Sequence, residues 1–149
     1  MIRPATADDA RALAELEVRA WRWAYVDFVA EEDMITVAER VERWEGRGVD
    51  GAFVAEVDGR VVGVVQVDDE DALRGLYVEP AAQGAGLGAE LHDFALEELR
   101  RRGAEAATLW VFEANGHARG FYERRGWSAD GETTTTLAPE LRYRKTLRP

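Results

Sequence analysis

The stretch from Leu76 to Gly88 constrains this chain more than any other. Leu76 to Val78 reads as a short apolar strand, stopped near Pro80, which has no N–H to give to a ladder. Gln83 follows, then glycines at the alternate positions 84, 86 and 88. Leu87, Leu91, Phe94 and Ala95 then recur at i, i+4, i+7 and i+8, the spacing of one helical face. A strand, a glycine-rich turn and a helix make an anion site. The first amides of a helix lack intrahelical partners and carry the positive end of its dipole. Glycine lets phosphate oxygens approach that backbone closely.

Two familiar nucleotide loops do not fit. A Walker loop needs Gly-Lys-Ser/Thr, and the single lysine, Lys145, lies far away. The dinucleotide fingerprint G-x-G-x-x-G places its third glycine one residue later than Gly88.

At 149 residues the chain has the size of one ordinary domain, and residues 1–149 are read as one. Hydrophobic residues at 46% against 32% charged place it among globular rather than disordered chains. A formal net charge of −10 argues against non-specific nucleic-acid binding and weakly favours a cationic substrate. Without cysteine there is no disulfide and no cysteinyl acyl-enzyme. The two histidines, His92 and His117, are far apart in sequence, so no metal is expected. His92 is read on the polar side of its helix and His117 as exposed. No segment is long enough to span a bilayer, and no membrane association is expected. A cytoplasmic location is the default expectation.

From the start, Ile2 to Ala5 suggests a first strand, and Thr6 with Asp8 and Asp9 a helix N-terminus. Leu13, Leu16 and Ala20 continue one face. Trp21, Tyr25 and Phe28 share a face if that helix runs on, with Trp23 pointing elsewhere. They are candidates for the wall of an acceptor pocket, which is typically aromatic with few polar groups. A second helix is expected from about Glu31 to Trp44, burying Ile35, Val41 and Trp44. Gly51–Val57 and Arg60–Val67 flank Asp58-Gly59, the signal of a type I′ hairpin. The acidic run Asp68–Asp71 turns into a strand from Ala72 to Val78. The helix after the glycine loop ends at Gly103 behind three arginines, read mainly as dipole compensation. Ala106 to Val111 is then a strand parallel to the previous one, since a helix crosses between them. A short helix is expected from Asn115 to Gly126, and two strands around Ala138-Pro139-Glu140 complete the chain.

Two motifs carry a family resemblance. Gln83-Gly84-x-Gly86-x-Gly88 resembles the pyrophosphate-binding loop of the GNAT-superfamily acetyltransferases. Downstream, Asn115, Ala118, Phe121-Tyr122 and Gly126-Trp127 stand in the order and spacing of that superfamily's second hallmark. The resemblance implies an α/β (α+β) fold with a mixed central sheet of about seven strands. That sheet is splayed between strands 4 and 5, flanked by about four helices, with acetyl-CoA in the split. It further implies that the backbone of Leu76, Tyr77 and Val78 lines the pantetheine arm. Gln83 and the Gly84, Ala85, Gly86, Leu87, Gly88 and Ala89 segment would hold the pyrophosphate. Asn115, Ala118 and Tyr122 complete the cofactor site.

The implied reaction is direct transfer of an acetyl group from acetyl-CoA to a primary amine of a small molecule or peptide. Val78 N–H is the expected oxyanion donor and Tyr122 the general acid for the leaving thiolate. For the general base, Glu70, Asp69, Glu113 and Glu79 are candidates with nothing to choose among them. A non-catalytic acyl-CoA-binding sensor is the competing reading, and retention of Tyr122 favours the enzyme. The family resemblance leaves room for a homodimer, although no strand or patch in the sequence points to one.

Overall fold

The computed structural model describes residues 1–148. Its elements in chain order are β1 (Ile2–Pro4), α1 (Ala10–Tyr25), α2 (Val37–Arg47), β2 (Ala52–Val57), β3 (Arg60–Val67) and β4 (Leu73–Val78). They continue as α3 (Leu87–Arg101), β5 (Ala106–Phe112), α4 (Gly116–Glu123), β6 (Ser128–Thr135) and β7 (Pro139–Thr146). The expected mixed α/β architecture, with seven strands and four α-helices among the described residues, is present.

The strands form two sheets, β1-β2-β3-β4 and β5-β7-β6. Asp58 (φ 51°) and Gly59 (φ 76°) both adopt positive φ, as a type I′ hairpin between β2 and β3 requires. In that hairpin, side chains alternate between two covered faces. Val54 and Val64 pack with Leu13, Leu16 and Trp44 beneath α1 and α2. Ala55 and Val65 lie on the opposite face in the larger core with Leu91, Ala95 and Leu99 of α3. Gly63 lets α3 come close: a Cβ there would lie 2.7 Å from Leu91 Cδ1.

β4 and β5 are parallel, but they meet only at the bridge Ala72↔Thr108. Just beyond it, the β3–β4 register passes from Val67↔Leu73 to Gln66↔Gly75, leaving Arg74 as the bulged residue of β4. A bulge bends its strand and strengthens the local twist. The two sheets therefore part along the rest of β4, and a cleft opens there.

Two expectations need correction. The second helix does not begin at Glu31. Residues Glu31–Asp33 form a separate 3-10 turn, and α2 starts after Thr36. The Thr36 hydroxyl accepts the Glu39 amide at 3.2 Å and donates to its carboxylate at 3.0 Å, a cap stronger than the acidic run before it. Nor is His92 on a polar side. It is 2% exposed, and its Nε2 accepts the Trp127 indole N–H at 2.9 Å.

Candidate active site

The cleft between the sheets has a volume of about 1050 Å³. One wall is β4, and its backbone explains why that wall is available. Glu79 N–H donates to Val62 O at 2.9 Å, making Glu79 and Val62 a hydrogen-bonded pair of the antiparallel ladder. Such pairs alternate, so Val78 (opposite Gly63) and Leu76 (opposite Val65) turn their backbone groups away from β3. With no strand paired beyond the bulge, those groups face the cleft. Val78 O is met by Gln83 Nε2 at 3.3 Å. The N–H of Val78 and both polar groups of Leu76 present an open edge, on which an extended amide-bearing chain can lie.

At its far end β4 runs into the glycine loop. Gly84 (φ 88°) and Gly86 (φ 84°) occupy conformations that side chains rarely adopt, and a Cβ on either would meet nothing within 4 Å. Backbone conformation, rather than crowding by the protein, calls for glycine at these two positions. Gly88 differs, since its Cβ would touch the Phe121 ring at 3.6 Å. Gly86 is the N-cap of α3 and brings no side-chain cap; the first helical bond is Glu90 N–H to Gly86 O at 3.1 Å. The amides of Leu87, Gly88 and Ala89 are thereby left without intrahelical partners at the positive end of a four-turn helix. A pyrophosphate fits this cradle in charge and hydrogen-bonding capacity.

Opposite β4 stands α4. The Asn115 Oδ1 accepts the Ala118 amide at 3.1 Å, capping the helix, and this explains why asparagine stands three residues before alanine. α4 then directs Tyr122 to the cleft. Tyr122 is 8% exposed and packs edge-on against Phe121 and Trp127, with ring centroids 5.2 and 5.9 Å away. Burial raises its phenol well above the ordinary tyrosine value, so it stays protonated throughout the neutral range. Tyr25 is pushed up to about 12, first by burial and then by the Glu140 carboxylate; the nearby Asn115 side chain acts the other way.

Leu76, Tyr77, Val78, Gln83, Gly88, Asn115, Ala118 and Tyr122 all border the cleft. Gly84, Ala85 and Gly86 lie in the exposed turn that leads from β4 into α3. Of the aromatic segment, Trp21 and Tyr25 border the cleft, whereas Phe28 packs behind Tyr25 against Phe112. Trp23, set aside in the sequence as facing elsewhere, is 52% exposed at the mouth, edge-on to His117 with ring centroids 6.0 Å apart. Among the candidate bases only Glu70 lines the cleft. Glu79 is clamped by Arg19 at 2.6 and 3.0 Å. Glu140, Arg43 and Arg142 also line the site and were missed. Glu140 carries no spacing signal, but Arg40, Arg43 and Arg47 at i, i+3 and i+7 mark a basic helix face that could have been read.

The chain matches the Acetyltransferase (GNAT) family over residues 11–127. It is 31% identical over 137 residues to an uncharacterized N-acetyltransferase of Methanocaldococcus jannaschii, covering 85% of this chain and 59% of that protein. It is 40% identical over 82 residues to a mycothiol acetyltransferase of Thermomonospora curvata, covering 52% and 28%. The chain thus spans less than two thirds of the length of these relatives. Among solved structures, PaiA N-acetyltransferase of Thermoplasma acidophilum in complex with coenzyme A superposes with a TM-score of 0.81 at 18% identity, over 98% of both chains. YncA of Salmonella typhimurium with its cofactor acetyl-CoA gives 0.74 at 20% identity, over 100% and 94%. These two share the fold. With the family matched from α1 through the glycine loop to the tyrosine helix, the chain belongs to the GNAT acetyltransferase family.

Proposed function

We propose that the protein transfers an acetyl group from acetyl-CoA to the amine of a small molecule or peptide. One observation carries this reading most directly: the open edge of β4 leads straight into an uncapped helix N-terminus. An amide-bearing arm and a pyrophosphate need those two features in that order. Acetyl-CoA supplies the activated acyl group, whose C–S bond breaks as the acceptor nitrogen forms the new C–N bond. Leu76 and Val78 hold the arm by their backbone, and the amides of Leu87, Gly88 and Ala89 hold the phosphates. Val78 N–H donates to the oxygen that becomes negative as the amine adds. Tyr122, kept protonated by burial, donates to the departing sulfur. Glu70 receives the proton that the amine gives up. The acceptor enters from the end where β4 begins, opposite the phosphate cradle.

Calorimetric titration with acetyl-CoA tests the cofactor assignment, with Gly86→Glu and Ala85→Glu alongside. Ala85 lies outside the positive-φ positions, so its variant brings a carboxylate to the cradle without backbone strain. Micromolar binding by the parent, lost in both variants, is expected. No binding by the parent overturns the proposal. Binding without thiol release on any amine supports a sensor instead.

A further inference from the structure

The acceptor end of the cleft holds charges of both signs, and most are already engaged. Arg142 pairs with Asp130 at 2.7 Å, and Glu140 accepts the Thr136 hydroxyl at 2.8 Å. Asp68 accepts the amides of Glu70 and Ala72 at 2.9 and 3.0 Å and meets Arg74 at 3.4 Å. Arg43 and Glu70 differ. Both line the cleft, and neither forms an ion pair among the described residues. Arg43 projects from α2 among other cations: Arg40, Arg47 and Arg74. Arg40 is taken by Glu17, and Arg74 is the bulged residue of β4, at the point where the sheets part.

A bound anion relieves crowding of this kind. A guanidinium does not shed its proton in a protein, so like-charge repulsion around it is offset by an anion rather than by neutralisation. Partial burial, and then the neighbouring Arg40, Arg47 and Arg74, act against the Arg43 charge, while the Glu17 carboxylate acts in its favour. Its planar fork suits a carboxylate, which it can hold through two parallel N–H···O bonds. Glu70, at the same end, is the complement for an amine. The chain as a whole carries a net charge of −10, which taken alone favours a purely cationic acceptor. The local arrangement points to a different ligand.

We propose, resting on the acetyltransferase reading above, that the acceptor is an amine that also carries a carboxylate, and that Arg43 is the specificity residue that binds this carboxylate. The acceptor class is then amino-acid-like rather than polyamine-like. Arg43 binds through charge and a bidentate fork, so its loss weakens capture of the acceptor and leaves the acyl-transfer groups in place.

The test compares amino acids with their α-amides as paired acceptors, reading thiol release, in the parent and in Arg43→Gln. The parent is expected to favour the acid of the best pair by about tenfold to a hundredfold in kcat/KM. In Arg43→Gln that preference should collapse to within about twofold, mainly through a raised KM for the acid. Comparing both acceptors in both proteins cancels the different basicity of the two amines. A parent without preference for the acid, or a preference that survives in Arg43→Gln, overturns the inference while leaving acetyl transfer standing. If acetyl-CoA binds but no pair turns over, the Arg43 Nε–H resonance is followed on adding N-acetyl amino acids and their amides. A shift with the acids alone, lost in Arg43→Gln, supports the carboxylate site; equal or absent shifts overturn it. Absence of acetyl-CoA binding in calorimetry is the separate failure of the acetyltransferase reading.

Discussion

Tyr122 reaches the cleft because α4 is short and capped at Asn115, and its ring is wedged among Phe121, Trp127 and His92. Phenylalanine preserves all of that packing and removes only the donor. Tyr122→Phe is therefore expected to bind acetyl-CoA within about twofold of the parent and to lose about a hundredfold in kcat. Initial rates with calorimetry check this, and an undiminished kcat would remove Tyr122 from the proton transfer. His92 behaves differently. Burial holds its imidazole below the ordinary value, only partly offset by Asp93 at 2.9 Å. The folded protein thus refuses a proton that the unfolded chain accepts below about pH 6.5. The resulting stability is fully present above that pH and is lost as pH falls toward the folded value. The urea midpoint should drop more between pH 7.5 and 5 in the parent than in His92→Gln; equal drops would rule out this contribution. The sequence marks Tyr122 through its motif. The environment of His92 was not legible, since Trp127 becomes its neighbour only when α4 and the following turn fold back over α3.

Among elements, α1 and α2 are joined by Glu17, which is 2% exposed and receives both the Arg40 guanidinium and the Trp44 indole N–H. Burial raises the Glu17 carboxyl against the pull of Arg40 and Trp44. Removing one member of such a pair strands the other, so Glu17→Ala should cost roughly 3–5 kcal/mol in chemical denaturation. A cost under about 1 kcal/mol would mean that the helices are held by apolar packing alone. At the other face of the sheet, Gly63→Val meets Leu91 and Leu87 and should cost about 1–3 kcal/mol by the same measurement. The β2–β3 hairpin and α3 were readable because period-2 runs around Asp-Gly and a 3.6-residue stripe leave few alternatives. The start of α2 was misplaced although Thr36 and Glu39 form a capping signal. A local acidic run and a cap compete on equal terms in the sequence, and side-chain geometry decides between them.

At the scale of the molecule, the split sheet makes a testable pattern of backbone exposure. On addition of acetyl-CoA, hydrogen exchange should slow at the Leu76 and Val78 amides and at Leu87 to Ala89. The Tyr77 amide, turned toward Val64 in the ladder, should change little. Equal protection of all three β4 amides would contradict an open edge. The chain's own order of residues determined the strand–loop–helix unit, the hairpin before it, the asparagine and tyrosine of α4, and with them the family. These features depend on neighbours a few residues apart, and periodicity, turn chemistry and capping operate at that range. Tertiary structure alone decided which carboxylates line the cleft, that Trp23 rather than Phe28 stands at its mouth, that His92 is buried, and that Arg43 lines the same cleft. Each of these depends on where elements distant in sequence come to rest. A bulge at Arg74 and the parting of two sheets open the cleft, the packing of α4 over α3 buries His92, and no local pattern encodes either.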